Sequence, residues 1–497
     1  MKRVKNLLGV LTTIAAVTGC SNEVIRVEGG QSGGGPGGGG PGGGGQGGEG
    51  QGGGGPGGGG QGGGGQGSGG QGGCVPGQMP PCAVWSKSFD NEAQVSAHRI
   101  VADADGGVLL SSSIKGSVSF GGAPLTSGQS FDLTAAKLDA AGNVVWSKLF
   151  KGTGDHYDGG IAIDGEGHFV LSGSFDGTLD FGGGALVSDA INNIFVAKLG
   201  SAAAGHLWSK RFPGSANSAD VAVAADGHIV VAGAFLKGVD FGGGPLASAS
   251  PGTYDIFLAA LDEAGDHLWS ESFGGAGHDL AGSVAVDGAG NVLLAGTFEG
   301  AIDFGGGALS AMGSSAFVAR FDSLGKHIWS KSFGDGYVWQ MRVDPAGSVT
   351  LIGGGKGMDF GGGPLTDWNF VAKLDASGNH LWSRSFGQLM VDSLFDADTD
   401  ASGNVFLTGF VSSPVDLGGG PLAGDGLGHL FVAKLDSDGN HVWSSTFGHD
   451  ASGLGVAADA AGNVIVRGEL SESVDFGLGP LTRTGVHQDF FVVKFSP

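Results

Sequence analysis

The chain is poor in positive charge, and it lacks the short motifs of common catalytic sites. Its 497 residues include 25 Lys and Arg against 48 Asp and Glu, which gives a formal net charge of −23. Such an acidic chain is a poor partner for nucleic acid or for an anionic lipid surface. It has no nucleophile elbow, no zinc-binding H-E-x-x-H motif and no phosphate-binding loop. These absences favour a binding protein over an enzyme.

No stretch shows sustained helical periodicity, and the apolar segment at the N-terminus is too short for a lasting membrane span. Three cations lie within the first five residues, and an apolar run follows at residues 7–17. This order is typical of an export signal. We therefore predict a signal peptide over residues 1–19.

The segment ends in Val-Thr-Gly-Cys20, which matches a bacterial lipobox. Cleavage before Cys20 and lipidation of that residue would leave a lipidated N-terminus over residues 20–28. An ordinary secretory signal with a chance cysteine is the alternative. Ser21 stands where an Asp would favour the inner membrane, so we expect an envelope protein anchored in the outer membrane. Loss of the signal removes three cations and no acid, which leaves a net charge near −26.

Residues 29–73 are almost all glycine, with Gln or Pro at every fifth position. Collagen needs a period of three, and this composition cannot form a core. As a flexible coil the segment would span roughly 35–40 Å on average. It is predicted to be a tether between a lipid surface and a folded domain.

Only three cysteines occur in the chain. Cys74 and Cys82 bracket a loop over residues 74–82, and an oxidising envelope would let them form a disulfide. A metal site is the alternative, but two thiols without a nearby histidine cluster do not favour it.

A tryptophan recurs seven times at the start of a W-S-x-x-F phrase. The intervals between the copies are 61, 62, 61, 60, 53 and 61 residues, which indicates one supersecondary unit in tandem. Because the tryptophan has the same place in every copy, we expect it to pack between units rather than bind a ligand. The seven residues are Trp85, Trp146, Trp208, Trp269, Trp329, Trp382 and Trp443.

Each copy predicts four β-strands, two tight turns and two longer connections. In the fourth copy Phe317, Ala319 and Phe321 share one face by the two-residue strand period, and turn residues such as Asp-Gly-Ala-Gly-Asn separate the strands. A single four-stranded unit cannot bury both faces of its sheet, but radial stacking can. The prediction is an all-β, seven-bladed β-propeller of four-stranded antiparallel blades over residues 83–497.

The ends of the domain predict how the ring closes. The last copy stops after its third strand, at residues 491–495, and its missing W-S-x-x-F strand lies at residues 84–89. We expect this N-terminal strand to complete the last blade.

The phrase Phe370-Val-Ala-Lys-Leu-Asp-Ala-Ser-Gly-Asn-His-Leu-Trp-Ser-Arg-Ser-Phe-Gly387 resembles the bacterial SBBP propeller repeat. Residues 273–279 and 284–292 resemble it too, and the likeness extends over about residues 83–497. The family occurs largely in exported bacterial proteins, so the resemblance implies a seven-bladed propeller and export. It supplies no catalytic residues.

Leu-Asp-x-x-Gly-Asn-x-x-Trp, as at residues 374–382, is similar to the tryptophan-docking phrase of quinoprotein propellers. The copy number here is seven rather than the usual eight, and the chain has no vicinal cysteine pair. The resemblance implies shared docking geometry, while quinone chemistry does not follow from it.

The fifth copy departs from the others. Both of its longer connections are shortened, and it holds the only two tryptophans outside the repeating position, Trp339 and Trp368, with Tyr337 nearby. Aromatic rings around such a notch could stack on a sugar or grip a peptide. The alternative is that they fill the space of the missing loop residues.

Acidic residues in two turns make calcium a possible cofactor, although we expect no cofactor. Asp396, Asp398 and Asp400 resemble the start of a calcium loop, as do residues 436–440, but neither segment has the closing bidentate Glu. Ordinary turn chemistry is the favoured alternative. Three histidines in the connections, His156, His278 and His449, are expected to be solvated loop residues rather than ligands.

The innermost strand of the fifth copy carries Arg342 two residues before the turn Asp, where other copies have small or apolar residues. Asp398 has the same register in the sixth copy. A lone charge near the ring axis is costly when dry, so we predict that Arg342 pairs with Asp398 or Asp396.

The functional hypothesis is an envelope-anchored, monomeric lipoprotein. Its propeller would be a non-enzymatic binding or scaffold module for a protein or carbohydrate, attached to the membrane only by its lipid. The alternative is a propeller enzyme, hydrolytic or quinone-dependent, with its site at the long-loop mouth of the channel.

Overall fold

A computed structural model describes residues 81–189, 192–387, 392–422, 428–485 and 487–497. The predicted signal, Cys20, the tether and Cys74 lie outside these residues. Cys82 is buried and disulfide-bonded, but with Cys74 outside the described part its pairing with that residue stays a prediction. No helix in the described ranges has the length and apolar character to cross a membrane.

All regular elements of the described residues are β-strands, 36 in number. The first half of the chain forms β1 (Ala83–Phe89), β2 (Asn91–Ala102), β3 (Val108–Val118), β4 (Leu125–Thr126), β5 (Asp132–Leu138), β6 (Val144–Thr153), β7 (His156–Ile163), β8 (Phe169–Phe175), β9 (Thr178–Asp180), β10 (Ala185–Val187), β11 (Asn193–Leu199), β12 (His206–Phe212), β13 (Gly214–Val223), β14 (Ile229–Asp240), β15 (Pro245–Ala247), β16 (Asp255–Leu261), β17 (His267–Phe273) and β18 (Leu280–Val286).

The second half follows the same rhythm. It forms β19 (Val292–Asp303), β20 (Ala308–Phe321), β21 (His327–Ser332), β22 (Gly336–Val343), β23 (Val349–Gly355), β24 (Asn369–Leu374), β25 (His380–Phe386), β26 (Asp392–Thr399), β27 (Val405–Val411), β28 (Val415–Asp416), β29 (Pro421–Leu422), β30 (His429–Leu435), β31 (His441–Phe447), β32 (Ala451–Ala458), β33 (Val464–Leu470), β34 (Ser473–Asp475), β35 (Pro480–Thr482) and β36 (Asp489–Phe495).

The strands form antiparallel four-stranded units. From the axis outwards, five sheets have the orders β7-β8-β11-β12, β18-β19-β20-β21, β22-β23-β24-β25, β26-β27-β30-β31 and β32-β33-β36-β1. A sixth, β13-β14-β16-β17, carries β15 as one added strand. We number these units by chain order, so that β7 begins the second sheet and β32 the last. Six sheets thus show the predicted unit alone or with one added strand.

The first sheet corrects the prediction of uniform four-stranded blades. It contains β2-β3-β5-β6 but has seven strands in all. β4 pairs with β3, and β6 runs beyond the point where the fourth strand of the other units ends, so that it pairs with β9, which pairs with β10. The contact joins Lys151, Gly152 and Thr153 to the hairpin of the second sheet. The hairpin itself arises where the sequence predicted a longer connection between the second and third strands, without a strand of its own.

The innermost strands contact one another in a closed circle. In order these are β2, β7, β13, β18, β22, β26 and β32, and β32 contacts β2 again. The fold is therefore an all-β propeller of four-stranded antiparallel blades. As predicted, β1 is the outer strand of the last sheet, where it pairs with β36 from Ala83 opposite Phe495 to Phe89 opposite Phe490.

The core lies between neighbouring sheets. One apolar cluster joins Trp85 on β1 to Ile100 on β2 and Val108 on β3, and it also includes Ile465 and Val492 of the last sheet. Full burial of each large apolar side chain stabilises the fold by about 1.5–3 kcal/mol. The first and last strands of the propeller, β1 and β36, are thus held together by side-chain packing as well as by strand pairing.

The repeating tryptophans connect each sheet to the next, as predicted. In six copies the indole N–H donates to a carbonyl in the turn between the third and fourth strands of the following sheet. The bonds join Trp85 to Ala140 (2.9 Å), Trp146 to Ser201 (3.3 Å), Trp208 to Glu263 (3.0 Å), Trp269 to Ser323 (3.0 Å), Trp329 to Ala376 (3.2 Å) and Trp382 to Ser437 (2.9 Å).

The turn that receives the indole needs a glycine. Gly265 has a φ of +78°, and a Cβ there would lie 2.8 Å from the ring of Trp208. Any other residue would therefore combine backbone strain with a clash against the indole. The glycine of the Leu-Asp-x-x-Gly-Asn phrase is thus a docking surface for the preceding sheet.

Trp443 differs, because the next sheet has no continuous turn at this place. Its third and fourth strands are β36 and β1, which come from opposite ends of the domain. Trp443 is 6% exposed, and its buried Nε1 has no hydrogen-bond partner among the described residues.

This difference predicts unequal costs for the same substitution. Trp382→Phe removes a hydrogen bond to Ser437 and is expected to cost about 1 kcal/mol more than Trp443→Phe, which removes only an unsatisfied donor. The two variants lose the same ring volume, so each controls for the other. Urea unfolding of both proteins measures the difference, and equal losses would contradict the docking argument.

Candidate functional site

The antiparallel order of each unit sorts its connections between two faces of the ring. The turns from first to second strand and from third to fourth strand lie at one face, and the longer connections lie at the other. Variation between copies is concentrated in the longer connections, where binding residues are most often found. We call this side the long-connection face.

The structure brings the predicted aromatic residues of the fifth sheet together on this face. Tyr337 and Trp339 lie on β22, and Trp368 lies just before β24. The ring centroids are 6.5 Å apart for Tyr337 and Trp339 and 5.9 Å apart for Tyr337 and Trp368. All three side chains are partly exposed. We call this group the aromatic notch.

Glycines in β23 make room for the notch. A Cβ at Gly354 would lie 2.6 Å from Nε1 of Trp368 and 2.9 Å from the ring of Trp339. The sequence carries a signal for this packing, because residues 353–355 are three consecutive glycines inside a strand. Trp339 also packs against the apolar cluster of the sixth sheet, so one of the three rings has a structural role as well.

Acidic side chains lie beside the notch. Asp367 precedes Trp368 and is exposed, and its Oδ2 accepts a hydrogen bond from Ser385 at 3.1 Å. Asp335, which precedes β22, is exposed too. The notch therefore combines apolar ring faces with carboxylate acceptors.

The predicted ion pair near the ring axis is confirmed. Arg342 Nε lies 3.2 Å from Asp398 Oδ1, and Arg342 Nη2 lies 3.7 Å from Asp396 Oδ1. Burial alone would lower the pKa of the guanidinium, but the two carboxylates outweigh it and raise that pKa. Burial raises the pKa of both carboxyl groups despite the opposing charge of Arg342.

These acids also connect the sixth sheet to its neighbours. Asp396 accepts hydrogen bonds from Gln340 Nε2 at 3.0 Å and from the backbone N–H of Val456 at 2.9 Å. Asp398 accepts one from the N–H of Ala458 at 2.8 Å. The charged groups around Arg342 are therefore held by protein donors.

The calcium candidates do not converge on one point. Asp400 Oδ1 accepts hydrogen bonds from the backbone N–H groups of Ser402 and Asn404 in its own turn, at 2.9 and 3.0 Å. Asp396 and Asp398 bond to other donors, so no donor is common to all three carboxylates. Over the described ranges, no group of three or more His, Cys, Asp or Glu has an arrangement that could hold a metal ion. Asp436 accepts from its own turn in the same way, which agrees with turn chemistry.

The prediction that His156 is a solvated loop residue is wrong. Its side chain is fully buried, with Nδ1 3.0 Å from Asp132 Oδ1 and Nε2 2.8 Å from the carbonyl of Thr178. The hairpin that begins at β9 folds over it, which the sequence did not reveal. His278 is partly buried and accepts the N–H of Tyr254 at 3.2 Å, and His449 is exposed.

Where the last sheet meets the first, polar side chains lie beside the apolar cluster. Arg467 is 1% exposed and donates to the carbonyls of Arg99 and Ser111. Burial lowers the pKa of Arg467 to about 10, although Glu469 and Asp158 act in the opposite direction. Asp158 accepts from Ser111 Oγ at 2.6 Å, and burial raises its pKa to about 6. No local pattern in the sequence predicted these polar contacts.

The sequence-based prediction also did not include a set of buried ion pairs beneath the tight turns. In five sheets a Lys or Arg of the third strand contacts the Asp that opens the first turn. The third sheet has alanine at both positions, Ala224 and Ala260. This joint change between copies is the signal that could have revealed the pairing. The pairs are Lys137–Asp103, Lys198–Asp164, Arg320–Asp287, Lys373–Asp344 and Lys494–Asp459.

No protein-family model matches the chain, so its likeness to the SBBP repeat remains a resemblance. No curated protein matches it either. Among solved structures, it is similar to the RRP9 WD40 repeats with 9% identity, a TM-score of 0.46, and coverage of 84% of this chain and 99% of that one.

Two bacterial structures give similar values. Quinohemoprotein alcohol dehydrogenase from Comamonas testosteroni has 10% identity, a TM-score of 0.39, and coverage of 83% of this chain and 76% of that one. A protein of unknown function from Bacteroides caccae has 12% identity, a TM-score of 0.35, and coverage of 63% and 89% respectively. Likenesses at this level carry no information about ligand or activity.

Proposed function

We propose that the protein is a non-enzymatic binding module, a seven-bladed propeller that binds a glycan at the aromatic notch. Seven blades result when the β2-β3-β5-β6 array inside the first sheet is counted with the six simpler sheets. The observation that carries the proposal is the meeting of Tyr337, Trp339 and Trp368 around Gly354, with all three rings partly exposed.

The chemistry of the notch suits a neutral sugar. Aromatic faces pack against the apolar C–H surface of a sugar ring, and the carboxylates of Asp335 and Asp367 are acceptors for hydroxyl groups. The net charge of −23 disfavours an anionic polymer. A peptide is the other ligand that aromatic residues could hold, and it is an outcome of the test.

The test compares Trp368→Ala and Tyr337→Ala with the unmodified protein on arrays of neutral oligosaccharides and of peptides, followed by calorimetry on the ligand found. We expect each change to weaken glycan binding by about tenfold or more, since aromatic anchors dominate such sites. Leu324→Ala is the control, because Leu324 is 79% exposed in a tight turn on the opposite face. Binding to peptides alone, or unchanged glycan affinity in both variants, would contradict the proposal.

The two acids of the sixth sheet nearest the axis do not favour the enzymatic alternative. In the described part of the chain, Asp396 and Asp398 near the axis already accept hydrogen bonds from Arg342, Gln340 and backbone N–H groups. A catalytic acid and base would need free access to a substrate.

We further propose that Cys20 carries a lipid that anchors the chain in the outer membrane, with the glycine-rich segment as a tether. The support is the lipobox after a basic and apolar segment. In cells, Cys20→Ala is expected to move the protein from the detergent-extracted membrane fraction to the soluble fraction. Equal partitioning of both forms would rule out the anchor.

A further inference from the structure

The long-connection face carries more aromatic pairs than the notch alone. The chain has three tyrosines, and each lies on this face beside a second ring. Tyr157 is 5.7 Å from Phe131, Tyr254 is 5.8 Å from His278, and Tyr337 is 5.9 Å from Trp368, measured between ring centroids. All these side chains are partly exposed.

One ring of each pair has the same register in its sheet. Phe131, Tyr254 and Trp368 each directly precede the third strand, at β5, β16 and β24. These strands belong to the first, third and fifth sheets. The second and fourth sheets have Asn192 and Ser314 at the same register. The fold therefore does not need an aromatic residue there, and the three rings occur in the first, third and fifth sheets.

Backbone hydrogen bonds fix the main chain of the residues that carry two of these rings. The carbonyl of Phe131 accepts the N–H of His156 at 2.9 Å, and the N–H of Phe131 donates to Asp155 Oδ1 at 2.9 Å. The carbonyl of Tyr254 accepts the N–H of Asp279 at 2.8 Å. Because the main chain at these residues is already ordered, less of the binding free energy is lost to ordering when a ligand stacks on their rings.

The pair of Phe131 with Tyr157 and the pair of Tyr254 with His278 each have a carboxylate beside them. Asp155 bonds to the backbone of Phe131, and Glu299 Oε2 accepts the N–H of His278 at 3.3 Å. Both acids are partly exposed. The combination of ring face and carboxylate thus matches the notch, where Asp367 adjoins Trp368.

We infer that Phe131 with Tyr157, and Tyr254 with His278, are two further subsites for the glycan of the notch, so that the face binds a neutral polysaccharide at three points. This inference rests on the proposed glycan function. It makes the preferred ligand a polymer rather than a short sugar, because one chain that engages several sites gains affinity without any new kind of contact.

The experiment separates a short ligand from a long one. The full chain is tested by affinity electrophoresis in gels with hydroxyethyl cellulose, xylan or galactomannan, and by calorimetry with the matching tetrasaccharides. The variants Phe131→Ser and Tyr254→Ser introduce the residue that the fourth sheet has at this register, so both are expected to fold. Asn192→Ala at the same register of the second sheet is the control.

We expect each serine variant to lose about tenfold or more in affinity for the polymer and to keep its tetrasaccharide affinity within about twofold. Trp368→Ala should lose both. If the serine variants bind the polymer as the unmodified protein does, while Trp368→Ala does not, the further subsites are wrong and the notch stands. If the unmodified protein binds none of these sugars, the glycan function fails and the subsites fail with it.

Discussion

Replacing Lys373 by alanine is expected to destabilise the protein by about 3–5 kcal/mol, because it leaves a buried carboxylate without its partner. Lys373 is 3% exposed, its Nζ lies 3.0 Å from Asp344 Oδ2, and it also donates to the carbonyl of Gly403 in the next sheet at 2.8 Å. The change therefore removes a charge pair and a bond between sheets. Urea unfolding measures the free energy of unfolding.

Two comparisons make this prediction specific. Lys210→Ala removes an ion pair to Asp266 that is 30% and 73% exposed, and such a surface pair is worth about 0–1 kcal/mol. The double variant Asp344→Ala with Lys373→Ala copies the third sheet, which has Ala224 and Ala260, and it should lose less than Lys373→Ala alone. A loss no greater than that of Lys210→Ala would show that the buried pair does not stabilise the fold.

Deleting residues 83–89 is expected to abolish a single cooperative unfolding transition or to lower its midpoint strongly. The deletion removes β1, which pairs with β36 and buries Trp85 and Phe89 to 2% and 5% exposure. The loss of Trp85 alone should cost about 3–5 kcal/mol, and the deletion also leaves β36 with an unpaired edge.

Calorimetry on the full chain measures this effect. A deletion of seven residues inside the glycine-rich segment is the length-matched control, since that composition cannot contribute to a core. Trp85→Ala isolates the side-chain part of the loss. An unchanged melting temperature after removal of β1 would rule out closure of the ring by this strand.

Much of the fold could be predicted because its signals are local or repeated. The alternation of Phe317, Ala319 and Phe321 marks a strand face within five residues, and the tandem tryptophans mark the unit. The split of one unit between the two ends predicted the pairing of β1 with β36. Even the pair of Arg342 and Asp398 followed from register, because an uncompensated charge near the axis would be costly.

Paired differences between the copies also mark residues that contact each other. The middle glycine of the Gly-Gly-Gly phrase lies against a histidine of the fourth strand, and a Cβ at Gly183 would be 2.0 Å from the His206 ring. In the last sheet that histidine is Ala83 and the glycine is Leu478, and both residues belong to the same apolar cluster. As with Ala224 and Ala260, the two positions change together because they touch.

The sequence by itself determined the four-stranded unit and the strand that closes the ring, because each depends on short patterns or on their repetition. Only the tertiary structure decided that β6 extends to β9, that His156 is buried, and that Tyr337, Trp339 and Trp368 meet around one glycine. These features depend on how connections fold over neighbouring sheets. Such contacts join residues far apart in the chain, and no local pattern specifies their geometry.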